Sequence, residues 1–390
     1  MSHSFKPIPG SITAPRGFRA AGVFCDIKRL GTGKGSDKGQ KRDLALIVSD
    51  VPATVAGMFT TNQICAAPVK VCIERVKKGV AQAVVVNSGN ANACTGRQGL
   101  SDALEMTAVA AQSLSGVPAR FVLAGSTGRI GVNLPMSNVK QGILAAAKLL
   151  NDSTESARHV AEAIMTSDTR PKEVAVEFKL GGKTARIGGI CKGAGMIQPG
   201  MSPTGARPAT SPLHATMLSF ITTDAAIDRK LLQAALNEAV ARSFNRITVD
   251  GDMSTNDTVL VLANGLAGNR TFGTRNAEFE IFQTALDPVC LALAQMIVRD
   301  GEGVTRFVTV RVNGARTFAE ADAAARAVAN SALVKTSWFG GDPNWGRIID
   351  ALGYSPAKVV EAKVDIAYST PGGRKLVYSL KRGQPTKTSF

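Results

Sequence analysis

The chain has little from which to build a metal centre. Its three histidines (His3, His159, His214) and six cysteines (Cys25, Cys65, Cys72, Cys94, Cys191, Cys290) include no Cys-x-x-Cys pair, which excludes the short-spaced ligand sets of structural zinc, and no metal is expected. Cysteines so dispersed suit reduced, mostly buried thiols in a cytosolic protein. Long apolar runs are scarce too. The opening MSHSFKPIPGSITAPRGFRAAG lacks the apolar core of a signal peptide, and no segment approaches the roughly 20 apolar residues that span a bilayer. The expectation is a soluble, cytoplasmic protein with no membrane partner. Aromatic residues make up 5% and no zinc-finger or RNP-like motif is present, so base recognition lacks its usual parts. Acidic residues are the minority, 30 against 46 Lys and Arg, for a net charge of +16. The basic residues are scattered except at Lys34 to Arg42 and near the C-terminus. That distribution suits attraction of small anions and argues against a nucleic-acid partner.

What is present is apolar patterning. At 390 residues and 44% hydrophobic, the chain can bury a large core without covalent staples. LALIVSD, PVKVCIE and AVVVNSG, at Leu44, Pro68 and Ala83, read as strands, as do FVLAGSTG, VAVEFKL, TARIGGI, TMLSFITTD, FNRITVD, TVLVLAN, RFVTVRV and KVVEAKVDIAY. SDALEMTAVAAQSLSG, with a serine cap at Ser101, reads as a helix, and so do MSNVKQGILAAAKLL, ESARHVAEAIM, LLQAALNEAVARSF, PVCLALAQMIVRD and AEADAAARAVANSAL. Such alternation predicts a layered α/β fold. The one break in composition, Ser202 to Leu213, is rich in Pro, Ser, Thr and Gly and reads as an exposed loop.

Single motifs are weak. GTGKGS at Gly31 fails the phosphate-loop spacing, because Gly35 follows Lys34, and reads as a surface loop. STGRIG at Ser126 can point a hydroxyl and a backbone N–H at one spot, as an oxyanion site requires, though alone it is a glycine turn. RDGEG puts Asp300 and Glu302 at a helix end, and alone it is an acidic turn. DPNWGR at Asp342 reads as a packed loop, and GDMSTNDTVL at Gly251 as a polar turn before a strand.

Together these segments resemble one family, the bifunctional ornithine acetyltransferases (glutamate N-acetyltransferases) of arginine biosynthesis. The resemblance runs through LALIVSDVPATVAGMFTTN, VVVNSGNANACTG, STGRIG, AIMTSDTRPKE, IGGICKGAGMI, ATMLSFITTDAAI, SFNRITVDGDMSTNDTVL, IVRDGEGVT and KTSWFGGDPNWGRI. It implies a layered αββα sandwich and an enzyme that cuts itself at Ala215-Thr216, giving two intertwined fragments, 1–215 and 216–390. Thr216 would then be the nucleophile, its new α-amine the base, and Thr127 and Gly128 the oxyanion pair. Thr166, Lys192, Thr216 and Glu302 would line the substrate pocket. Residue types agree: Lys192 can pair with a substrate carboxylate and Glu302 with a substrate ammonium. The implied reaction moves acetyl from N2-acetylornithine to glutamate through an acetyl-Thr216 intermediate. No cofactor is implied, acetyl-CoA is a second candidate donor, and the fragments are expected to assemble as a dimer of heterodimers. The alternatives are a related self-cleaving aminopeptidase or amidase, and an inactive basic binding paralogue.

Two departures from the pattern stand out. Ser202 to His214 intervenes where the family passes directly from a P-x-M segment to A-T-M-L; this insertion is expected to be solvent-exposed. The family usually continues past a strand like KVVEAKVDIAY into an acidic tail, and here the tail is expected to be missing. A second Ala-Thr pair, Ala209-Thr210, lies between Pro208 and Ser211-Pro212, in a setting that cannot hold a hydroxyl rigidly against a carbonyl.

Overall fold

Two-residue alternation along the strands sorts their side chains into separate cores. The computed structural model describes residues 5–32, 41–206, 217–370, 372–373 and 375–388, in two compact units, Met1–Glu302 and Gly303–Phe390. In the first unit, Leu44, Leu46 and Val48 of β3 (Leu44–Phe59) join Ala83 and Val85 of β4 (Val80–Asn90) and Val122 of β5 (Val122–Arg129) under α3 (Gly96–Ser113) and α4 (Met136–Lys148). The intervening residues Ala45, Ile47, Val84, Val86 and Leu123 face the other way. There they meet Leu218 and Phe220 of β8 (Leu218–Thr223) and Leu260 and Leu262 of β9 (Thr258–Ala263). On the far side of β8 and β9, Ile221, Val259 and Val261 share a third core with β6 (Lys172–Leu180), β7 (Lys183–Lys192), α6 (Arg229–Arg242) and α7 (Ala277–Arg299). The succession is helix, sheet, sheet, helix, the expected αββα sandwich.

One strand joins the two layers. β3 shifts register between Val48 and Ala53; its first part pairs with β2 (Phe18–Val23) and β4, and its second part with β9, while Ala53 and Thr54 still pair with β4. A bulge of this kind lets a strand bend out of one layer into the next. The described ladder therefore runs β1-β6-β7-β8-β9-β3-β4-β5, with β1 at Lys6–Pro7 and β2 on β3. Pairs β4·β5 and β8·β9 are parallel. α1 (Ile27–Thr32), α2 (Ala67–Val76) and α5 (Thr154–Ala163) complete the unit. Strands from both sides of residue 216 thus lie in one sheet.

Several expectations are corrected. PVKVCIE is helical, within α2. Pro68 stands in its first turn, where a missing N–H costs nothing, and Val69, Cys72 and Val76 point into one core at helical rather than strand spacing. Ser101 lies inside α3, which starts at Gly96. FNRITVD forms no strand: Phe244 to Arg246 is a single 3-10 turn that buries Phe244 fully after α6. α7 begins well before Pro288 and carries that proline internally. It is also, by length and composition, long and apolar enough to cross a bilayer, contrary to the expectation that no segment is, and its Phe279, Phe282, Leu286, Leu293 and Ile297 pack into the core beneath it. GTGKGS, expected as a surface loop, lies outside the described residues except for Gly31 and Thr32, which end α1; of the Ser202 to Leu213 loop, only Ser202 to Ala206 is described, with Pro203, Thr204 and Ala206 exposed.

The second unit holds α8 (Phe318–Asn330), α9 (Ala332–Gly340) and α10 (Trp345–Gly353), and an antiparallel meander of β10 (Ile366–Tyr368), β11 (Val377–Lys381) and β12 (Gln384–Pro385). Val328, Val334 and Ala351 form its small core with Val310 and Trp338. RFVTVRV is not a strand. It has the alternation but takes no strand conformation in a sheet, and Arg306 Nε donates to the Trp338 carbonyl at 3.0 Å. DPNWGR is a helix start, since Asn344 caps α10 through the Arg347 N–H. KVVEAKVDIAY is strand only at its last three residues.

Candidate active site

The end of β5 is held by a buried asparagine scaffold. Ser126 Oγ donates to Asn87 Oδ1 at 2.6 Å, Asn87 Nδ2 to the Asn90 carbonyl at 2.9 Å, and the Asn92 N–H to Asn90 Oδ1 at 2.8 Å. All three asparagines are fully buried, so each bond answers a desolvated group and the loop is rigid. On this base Thr127 is buried and Gly128 exposed. Gly128 has φ +133°, and a Cβ there would stand 2.2 Å from the Gly89 carbonyl carbon, so only glycine lets β5 pass so close to β4. Across Gly89 lies α1: a Cβ on Gly89 would meet Lys28 Cα at 2.5 Å. Burial lowers the Lys28 ammonium to about 8, against the pull of Asp43.

A second cluster gathers at the end of β7. Lys192 Nζ donates to Thr166 Oγ1 at 2.8 Å and lies 3.9 Å from Asp168 Oδ2. Asp168 also accepts from the N–H groups of Thr166 at 3.0 Å and Gly193 at 2.7 Å, and from Lys172 Nζ at 2.6 Å. The same Lys172 reaches Asp300 at 2.6 Å, and Asp300 accepts the Thr169 N–H and hydroxyl. Burial alone would raise the Asp168 carboxyl, but the ammonium groups of Lys192 and Lys172 and the Gly193 N–H outweigh it and hold it at about 2. Burial lowers Lys192, with Asp168 opposing. Two residues past Asp300, the Glu302 N–H donates to the Ala194 carbonyl at 2.8 Å. Its carboxylate lies against Gly195, where a Cβ would be 2.7 Å from Oε1. The pairings therefore sew residues 166–172, 192–195 and 300–302 into one constellation, with a cation at Lys192 and an anion at Glu302.

A third element closes the gap between these clusters. Asn256, fully buried ahead of β9, donates through Nδ2 to the carbonyls of Ala91 at 2.7 Å and Ser126 at 2.8 Å. Its neighbour Asp257 accepts the N–H of Met217, while the Met217 carbonyl accepts from the Thr258 N–H at 3.0 Å. Lys192 stands opposite Leu218 in the β7·β8 register. A continuous path thus leads from Ser126, next to Thr127, through Asn256 and Asp257 to Met217, the residue after Thr216. Burial raises the Asp257 carboxyl well above the usual range, only partly opposed by the Met217 N–H and by Lys192.

Of the residues expected at the site, Thr127, Gly128, Thr166, Lys192 and Glu302 all belong to this first unit; Ala215 and Thr216 lie outside the described residues. Asp168, Lys172, Asn256, Asp257 and Lys28 were not singled out from the sequence. SDTRPK and STNDT sit inside segments that carry the resemblance, but nothing in their spacing marks a buried role. Chemically, a hydroxyl beside a backbone N–H can receive an oxyanion. An ammonium and a carboxylate on one constellation suit a zwitterionic amino acid.

The chain matches the ArgJ family over residues 19–389. It is 51% identical to the arginine biosynthesis bifunctional protein ArgJ of Symbiobacterium thermophilum over 92% of this chain and 84% of that protein. The protein of that same name from Caldanaerobacter subterraneus is 46% identical, over 94% of this chain and 84% of its own. The glutamate N-acetyltransferase of Methanocaldococcus jannaschii is 46% identical over 97% of this chain and 86% of that one.

Proposed function

The chain belongs to the ArgJ family, acetyltransferases of arginine biosynthesis, and on that premise we propose that it moves the acetyl group of N2-acetylornithine to glutamate through Thr216. In this reading the chain first cuts itself between Ala215 and Thr216, which leaves Thr216 with a free α-amine. An α-amine titrates at about 7.7–8.0 when unperturbed, which suits a base at neutral pH. The Thr216 hydroxyl attacks the acetyl carbonyl and passes its proton to that amine; the proton then leaves with ornithine, and an acetyl ester remains on the enzyme. The glutamate amine attacks the ester by the reverse path, restoring the hydroxyl and releasing N-acetylglutamate. The Thr127 hydroxyl and Gly128 N–H stabilise the tetrahedral oxyanion in both halves, and losing one such donor costs on the order of 3 kcal/mol. Lys192 pairs with the substrate carboxylate, Glu302 with an ammonium, and Thr166 orients Lys192.

The observation that supports this most directly is the hydrogen-bonded path from Ser126 through Asn256 and Asp257 to Met217, which ties the oxyanion strand to the residue after the nucleophile. Acetyl-CoA as an alternative donor, assembly as a dimer of heterodimers and a cytoplasmic location belong to the same proposal. All six cysteines are free thiols, in keeping with a reducing compartment. Intact-mass analysis after incubation with N-acetylornithine alone is the test. The expected result is a fragment beginning at Thr216 that carries one acetyl group; a start at Thr210 reassigns the nucleophile, and acetyl elsewhere or nowhere overturns the mechanism.

A further inference from the structure

Lys28 has no part in the reaction as proposed, yet the fold fixes it beside both clusters of the site. Its backbone on α1 is held by the buried Asp43, whose Oδ1 accepts the Cys25 N–H at 2.7 Å and whose Oδ2 accepts the Lys28 N–H at 3.1 Å. Its Cα backs onto Gly89, the register partner of Gly128. Lys28 Nζ donates to the Arg42 carbonyl at 2.6 Å, and the Arg42 guanidinium pairs with Glu162 of α5 at 2.9 Å. Ser88 ties the same elements together, its N–H donating to the Asp43 carbonyl at 2.9 Å and its hydroxyl to the Ala163 carbonyl at 2.5 Å. Three residues past Ala163 the chain reaches Thr166, the partner of Lys192. Lys28 thus links the oxyanion strand to the Lys192 constellation. Its ammonium, lowered to about 8 chiefly by burial, also feels the charges of Asp168 and Lys192, and it remains charged at neutral pH.

The two proposed substrates differ at one end. Each brings an α-carboxylate for Lys192, but N2-acetylornithine ends its side chain in an ammonium and glutamate in a second carboxylate. Glu302 suits the first and repels the second, so a site that takes both in turn needs another cation. Lys172 is committed to Asp168 and Asp300 at 2.6 Å each. Lys28 makes no ion pair among the described residues, and its ammonium has two N–H donors besides the one on the Arg42 carbonyl. We propose that Lys28 is a specificity-determining residue of the pocket, pairing with the side-chain carboxylate that glutamate carries and ornithine lacks. This rests on the reading that both substrates occupy the Lys192 and Glu302 site in turn. Partial burial strengthens such a pair, because water screens it less than at the surface.

Initial rates measured in both directions on Lys28→Met in the full chain test this. KM for glutamate and, in reverse, for N-acetylglutamate should rise about 10- to 100-fold, while KM for N-acetylornithine and for ornithine stays within about twofold. Lys28→Gln can still donate to the Arg42 carbonyl but carries no charge; it should show the same split, and it decides if the methionine variant fails to fold. A parental KM for glutamate overturns the proposal. So does a similar rise in all four KM values, which a merely structural role would give, or a fall in kcat with every KM unchanged. A parent chain that moves no acetyl between the two amino acids refutes the underlying reading and the proposal with it, an outcome told apart because it needs no variant.

Discussion

At the scale of single residues, the most consequential side chain that touches no proposed substrate group is Lys172. It is buried between Asp168 and Asp300, and removing one partner of such a set leaves charge in a low-dielectric interior. Lys172→Met should therefore cost about 3–5 kcal/mol of stability, read as a lowered urea midpoint. It should also raise KM for glutamate, since Asp168 holds both Thr166 and Gly193. The sign of the acid response follows from the same carboxyl. Asp168 is held near 2 in the fold and titrates at about 3.9 when unfolded. Its contribution, on the order of 2 kcal/mol, is full above about pH 4 and is lost as pH falls toward 2. Urea unfolding between pH 6 and 3 should show that loss in the parent and a flatter profile in Asp168→Asn. Gly128→Ala should fail in both roles. Its Cβ collides with Gly89, and the displaced N–H no longer meets the oxyanion, so kcat should fall by about 10²–10³-fold along with the melting temperature.

At the scale of elements, the site depends on close backbone approaches that admit no side chain. The 3-10 turn at Ser11–Thr13 presses on β7, where a Cβ on Gly188 would lie 1.7 Å from the Ser11 carbonyl oxygen. Because both neighbours are backbone, no rotamer change relieves the clash. β7 carries Lys192 four residues further on, so Gly188→Ala should both destabilise the chain and weaken substrate binding. A urea midpoint and KM measured on the same preparation check this; a parental value of both would show that the turn moves aside freely. The helix at α2 makes a related point. Cys72 Sγ donates to the Ala124 carbonyl at 3.0 Å and accepts the Ala124 N–H at 3.3 Å, which locks the helix onto β5 just before the Ser126-Thr127-Gly128 run.

At the scale of the whole molecule, the proposed cut falls, in chain order, between strands that share one sheet. β7 precedes it and β8 follows it, and the two are paired from Ile187 to Lys192. β9 from the second fragment in turn pairs with β3 from the first. Cutting one peptide bond removes none of these ladders or the cores on either side of them. The fragments should therefore co-elute in size exclusion under native conditions and separate only in denaturant. Spontaneous separation in buffer would contradict the shared sheet.

The sequence by itself determined the layered α/β character, and the family resemblance its motifs carry implied the αββα order. Alternation in β3, β4, β8 and β9 assigns each residue to one core or the other, because a strand cannot turn one side chain without turning its neighbours. It also pointed to Thr127, Gly128, Thr166, Lys192 and Glu302, through the family resemblance that their motifs carry. Short apolar segments were less legible. PVKVCIE and FNRITVD have the composition of strands, but a helix with Pro68 in its first turn and a 3-10 turn around Phe244 bury the same groups, and only packing chooses between them. RFVTVRV has the alternation of a strand but joins no sheet. Only the tertiary structure decided the roles of Asp168, Lys172, Asn256 and Asp257. Their partners lie far away in the chain, as Lys172 and Asp300 or Asn256 and Ser126 do, and an Asp in a polar turn differs from a buried anchor only in what the fold brings to meet it. Burial is what sets Asp168 and Asp257 apart from carboxyls in ordinary polar turns, and burial is a property of the packed layers.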